Sequence, residues 1–214
     1  MRFVLVFIFL LFQSSIWSES AIPPYPAPRP GEVTTSPAFS EYVSDTLNVG
    51  EKAPLLELKK LKENSFFRLD KALGNKPIVL IFGSYSCPVF RGQIRELLAI
   101  GKTFSDRYDF YFVYLREAHP DSILYFKENG SEFLKTILQT ETVEEREAIA
   151  LKTKETFQIE IPILIDDNLK MAHRSYAAWP VRFVIISSDG LIRFKGRMGP
   201  YGFWPDELRQ ALLK

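Results

Sequence analysis

The chain alternates between segments whose apolar residues run almost unbroken and segments in which they recur every three or four positions. PIVLIFGS (77–84), YDFYFVYL (108–115) and IPILID (161–166) belong to the first kind, the pattern of strands covered on both faces of a sheet. LLELKKL (55–61) and SFFRL (65–69) read as shorter strands with Glu63 and Asn64 in the turn between them. FRGQIRELLAIGKTF (90–104) carries apolar residues at 90, 94, 97, 98 and 100, which is helical spacing. Residues 121–157 read as helical, with breaks near Asn129-Gly130-Ser131 and near Thr140. Thr142 followed three positions later by Glu145 is a capping-box signature that starts a helix through Phe157. NLKMAHRSYAAW (168–179) and PDELRQALLK (205–214) predict further helices, the latter with Pro205 in its first turn. VRFVIIS and LIRFKG flank Ser188-Asp189-Gly190, a hairpin signal.

Strands that alternate with helices imply a mostly parallel sheet, and the last hairpin makes it mixed. The order predicts an α/β chain with a thioredoxin-like fold: a central mixed sheet with helices on both faces, extra N-terminal strands and a helical insertion.

The ends of the chain read differently. Phe3–Phe12 is an unbroken apolar run behind Arg2, the size of a secretory h-region and short for a membrane span. Residues 1–20 are therefore expected to be a signal peptide or an N-terminal anchor, which makes the protein exported and, if uncleaved, membrane-associated. Residues 21–46 begin with AIPPYPAPRPGEVTTSP, rich in proline and poor in core residues, and predict an extended tether. The folded domain is expected over 47–214.

A formal net charge of +1 with no long basic block leaves nucleic acid without an electrostatic footprint. One cysteine and two separated histidines predict no metal site. A single cysteine also rules out an internal disulfide, so Cys87 is a buried apolar residue, an intermolecular partner or a reactive thiol. Its position favours the last. Cys87 follows the strand at 77–84, and Pro88 suits the first position of the next helix. The N-terminus of that helix, with Arg91 one turn on, is expected to lower the thiol pKa. Ligands and reactive groups gather at the carboxyl ends of strands in such folds. His119 and Glu117, in LREAHP, end the following strand on the same side. The other histidine, His173, reads as an ordinary helix residue.

The spacing lacks the second cysteine of a C-x-x-C pair: Ser84 stands three before Cys87. Ser84 and Cys87 are similar to the T-x-x-C of peroxiredoxins, whose hydroxyl lies near the reactive sulfur. More of the chain resembles the iodothyronine deiodinase family. FGSYSCPVF, YFVYLREAHP, ILIDD, SYAAWP, RFVIISSDG and KGRMGPYGF follow the family's blocks in order from about Pro77 to Leu213. Cys87 takes the place of the family's selenocysteine, and Tyr85 that of a family cysteine. The resemblance implies Cys87 as nucleophile, with Glu117 and His119 in proton transfer and substrate contact. It implies Arg182 as the holder of a substrate carboxylate, and Pro180 as a cis proline facing the thiol.

The expected activity is that of a thiol-dependent oxidoreductase acting on a small electrophile, a carbon-bound halogen or a peroxide. No bound cofactor is implied. An external thiol or thioredoxin-like reductase regenerates the cysteine. A non-catalytic thioredoxin-fold binding module, with the groove beside Cys87 and Pro180 as its site, is the alternative.

Overall fold

A computed structural model describes residues 28–214. The elements run β1 (Glu57–Lys60), β2 (Phe66–Arg68), α1 (Leu69–Ala72), β3 (Ile78–Gly83), α2 (Pro88–Phe104), β4 (Asp109–Tyr114), β5 (Ser122–Glu128) and β6 (Ser131–Ile137), followed by α3 (Val143–Phe157), β7 (Ile163–Ile165), α4 (Met171–Ser175), β8 (Arg182–Ile186), β9 (Ile192–Lys195) and α5 (Pro205–Leu213). The expected signal peptide or anchor at 1–20 lies outside the described residues. Among the described residues no helix is long and apolar enough to cross a membrane.

Seven strands form one sheet in the order β2-β1-β7-β4-β3-β8-β9. β3, β4 and β7 run parallel, and β8 and β1 flank them antiparallel. All six residues of β3 are buried, as a two-sided apolar run requires. Phe112, opposite Ile81, stacks on Phe90 of α2 at 4.7 Å between ring centroids. Phe82, one position on and so on the other face, packs against Tyr176 after α4 at 5.4 Å. Gly83 ends β3 where only a glycine fits: a Cβ there would lie 2.7 Å from the Phe90 ring. That close approach seats the start of α2, and Cys87 with it, directly on the sheet.

The insertion after β4 differs from the helix expected over 121–157. Its first half is a hairpin, β5 with β6, and only the second half is helix. The reason is local. Asn129 and Gly130 take φ of 49° and 82°, the left-handed pair that a two-residue hairpin turn needs. Leu124 and Phe126 alternate inward along β5. The capping box at Thr142 and Glu145 forms as expected and starts α3. The helix expected over 168–179 shrinks to the five residues of α4.

The segment expected as a free tether lies on the domain from Arg29 onward. Val33 and Ile123 exchange backbone hydrogen bonds of 2.8 and 2.9 Å. The carboxylates of this arm each meet cations of the domain. Glu32 pairs with Arg91, Glu41 with Arg116 and Lys170, and Asp45 with Arg182 and Lys195. Carboxylates sheltered against a domain are stable only when so compensated, and the pairs fix the path of the arm.

Candidate active site

Cys87 is the N-cap residue of α2, with Pro88 in its first turn. The loop before it is held by side chains of the two loops that meet there. Ser84 Oγ accepts from the backbone N–H of Ala118 at 3.1 Å, and Ser86 Oγ from that of His119 at 2.9 Å. Glu117 accepts from the backbone N–H of Ser86 at 2.8 Å and from the Tyr114 hydroxyl at 2.6 Å. These bonds tie the β3–α2 loop to the β4–β5 loop. Ser84 and Glu117 are fully buried in this seam.

A cavity of about 200 Å³ opens above the seam, lined by Cys87, Val89, His119, Trp179 and Pro180 among others. The Trp179–Pro180 bond is cis. Pro37, Phe39 and Tyr42 of the N-terminal arm, with Pro200 and Tyr201, complete its walls. Of the six residues expected at the site, the structure brings Cys87, His119 and Pro180 to one cavity. Ser84 and Glu117 support its floor without lining it.

Arg182 is somewhere else. Its guanidinium is fully buried and donates to the carbonyls of Gly196 (2.9 Å), Tyr176 (2.8 Å) and Ala177 (3.3 Å), and to Asp45 (2.7 Å). Its donors are spent inside the fold, which corrects the expectation that it holds a substrate carboxylate. His173 is buried beside the arm with Nε2 2.6 Å from the Glu41 carbonyl oxygen, and it does not line the cavity.

The electrostatics also correct one expectation. Burial pushes the Cys87 thiol up to about 12, and the charge of Glu117 adds to the rise. The N–H groups of Phe90 and Val89 and the charge of Arg91 pull the other way and do not win. A helix N-terminus lowers a thiol pKa where water helps to solvate the thiolate, and Cys87 is only 1% exposed. Burial likewise raises the Glu117 carboxyl, against the bonds from Ser86 and Tyr114.

His119 is better placed for chemistry than its sequence context suggested. Nδ1 lies 2.7 Å from the Thr35 carbonyl oxygen. A carbonyl only accepts, so Nδ1 carries the proton and Nε2 of the neutral ring is left as an acceptor. Burial lowers the His119 pKa against the pull of that bond, which keeps the ring neutral at pH 7. The sequence carried no signal for Thr35, because the contact is made by a backbone oxygen. The cavity aromatics Trp179 and Tyr201 do stand in the SYAAWP and GPYG blocks, beside the two cis prolines.

A model of the family described as iodothyronine deiodinase matches residues 36–214. The type I iodothyronine deiodinase of Xenopus laevis is 30% identical over 172 residues, 80% of this chain and 66% of that one. The chain thus spans just under two thirds of that relative's length. Among solved structures, a thiol:disulfide interchange protein from Bacteroides sp. aligns with a TM-score of 0.53 at 17% identity, covering 78% of this chain and 92% of that one. The thioredoxin domain of a thiol-disulfide oxidoreductase from Bacteroides vulgatus aligns with a TM-score of 0.51 at 17% identity, covering 78% and 99%. The sheet order and these alignments make the fold thioredoxin-like, and the chain belongs to the iodothyronine deiodinase family.

Proposed function

We propose that this protein is an exported thiol-dependent reductase in which Cys87 attacks a small electrophile and an external thiol regenerates it. The carrying observation is that the one cysteine, a histidine with a bare Nε2 and a cis proline share one cavity at the carboxyl ends of the parallel strands. His119 takes the thiol proton. For a carbon-bound halogen, the thiolate takes the halogen and the C–X electron pair stays on carbon. Carbon then receives the proton. A first external thiol opens the S–X bond, releasing halide and leaving a mixed disulfide on Cys87. A second one frees Cys87 and leaves as the disulfide. A peroxide would instead oxidise Cys87 to a sulfenic acid, which the same two thiols reduce. Family membership favours the halogen.

The test uses the full chain with excess dithiothreitol, offered 3,5-diiodotyrosine or hydrogen peroxide. Iodide release identifies the first branch and peroxide consumption the second. The burial of the thiol favours a second reading, a binding module in which Cys87 is inert. That reading stands if neither compound is turned over and iodoacetamide fails to label Cys87 at any pH below 10.

His119→Ala is expected to lower kcat/KM by about 10²-fold, the usual contribution of a positioned acid–base group. Because burial depresses the His119 pKa, the acid limb of the wild-type rate profile should fall below the ordinary histidine range. A profile still flat at pH 4 with unchanged kcat/KM in the variant would remove His119 from the chemistry.

A further inference from the structure

A second cavity, of about 130 Å³, lies beside the first turns of α2 and shares no lining residue with the first. Arg29, Arg91 and Arg95 converge on it, against Tyr85, Tyr125 and Thr156, and no acidic side chain lines it. Arg91 pairs with Glu32 at 2.5 Å. That carboxylate is already committed: it also accepts from the backbone N–H groups of Tyr125 (2.9 Å) and Arg29 (3.0 Å). Glu132 acts on the Tyr125 hydroxyl and forms no ion pair with any of the three arginines.

The remaining two guanidinium charges have no carboxylate. Arg29 sits 3.7 Å above the Tyr125 ring and Arg91 5.5 Å above the Tyr85 ring, so aromatic faces hold both cations in place. Arg95 is exposed and makes no hydrogen bond or ion pair among the described residues. Arg91 and Arg95 stand four apart on one helix face, where like charges repel. Three cations facing one another around a polar hollow, with one anion between them, lower stability unless something negative fills it.

We propose that this cavity binds the carboxylate or phosphate group of a small anionic ligand. Its volume is about that of four waters, room for a head group and not for an aromatic ring. Guanidinium forks meet the oxygens of such groups in pairs. The inference does not depend on the redox chemistry at Cys87.

The probes are inorganic phosphate and succinate, titrated into the full chain at ionic strength held constant with sodium chloride, and read on the arginine Nε–Hε resonances. Saturable shifts with at least one probe are expected. Arg29→Gln and Arg95→Gln should each weaken it about tenfold, while Arg209→Gln, whose partners are Glu96 and Asp206, changes nothing. Tighter phosphate assigns a phosphorylated ligand, and tighter succinate a carboxylate. Shifts that do not saturate with either probe overturn the proposal. So does binding that survives in the Arg29→Gln/Arg95→Gln double variant, provided its amide spectrum stays native.

Discussion

Cys87→Ser is expected to lower thiol-dependent turnover by at least about 10³-fold while leaving the urea midpoint unchanged or slightly raised. The chemical half of the expectation is simple. No other sulfur nucleophile exists in the chain except three methionine thioethers, so nothing can substitute. The structural half follows from position. A serine hydroxyl is nearly isosteric and is a favoured N-cap acceptor for the free N–H groups of α2. The same burial has a kinetic consequence. A thiol held near pKa 12 is almost wholly protonated at pH 7, so resting Cys87 should react slowly with iodoacetamide. Reactivity then requires the cavity walls at Phe39 and Tyr42 to move or a substrate to fill the cavity and bring His119 to bear. Labelling in the presence of 3,5-diiodotyrosine separates these two causes. Turnover retained in Cys87→Ser would end the redox reading altogether.

How much of this the sequence carried depends on the residue. The strands β3, β4 and β7 were plain, because two-sided burial writes itself as an unbroken apolar run. Cys87, His119 and Pro180 were legible too, since each stands at a strand end in a recognisable block. The hairpin at β5 and β6 is only half legible: Asn129-Gly130 marks an interruption, and that it is a hairpin turn rather than a break in a helix is decided by the pairing of the strands on either side. The docking of the arm was not legible. Glu32, Glu41 and Asp45 follow no period, and their cations come from α2, the β4 end, α4, β8 and β9, which only the folded chain brings near. The thiol pKa failed for a related reason. Helix polarity is local and readable, whereas the burial of Cys87 is a tertiary fact.

Arg182→Ala should destabilise the domain by about 3–5 kcal/mol, read as a shift of the urea midpoint, the cost typical of removing one partner from a buried charged network. Three buried carbonyls, those of Gly196, Tyr176 and Ala177, would lose their donor at once, and Asp45 would keep only Lys195 and the Leu47 N–H. Arg182→Lys should recover little, because one ammonium cannot span acceptors laid out for a planar fork. The network has a pH signature. Burial raises the Asp45 carboxyl, but the hydrogen bonds from Arg182 and Lys195 outweigh it and hold the pKa at about 2. A folded pKa below the unfolded one means that this stabilisation is complete above about pH 4 and is lost as pH falls from there through 2. The Arg182→Ala protein should therefore show a shallower loss of stability over that window than the wild type. The same titration distinguishes the structural role from the one the family blocks suggested. A substrate-holding arginine would raise KM and leave the urea midpoint and its acid dependence where they were. The bonds drawn to Gly196, Tyr176, Ala177 and Asp45 require the reverse: a large fall in stability, with KM in the folded fraction close to that of the wild type.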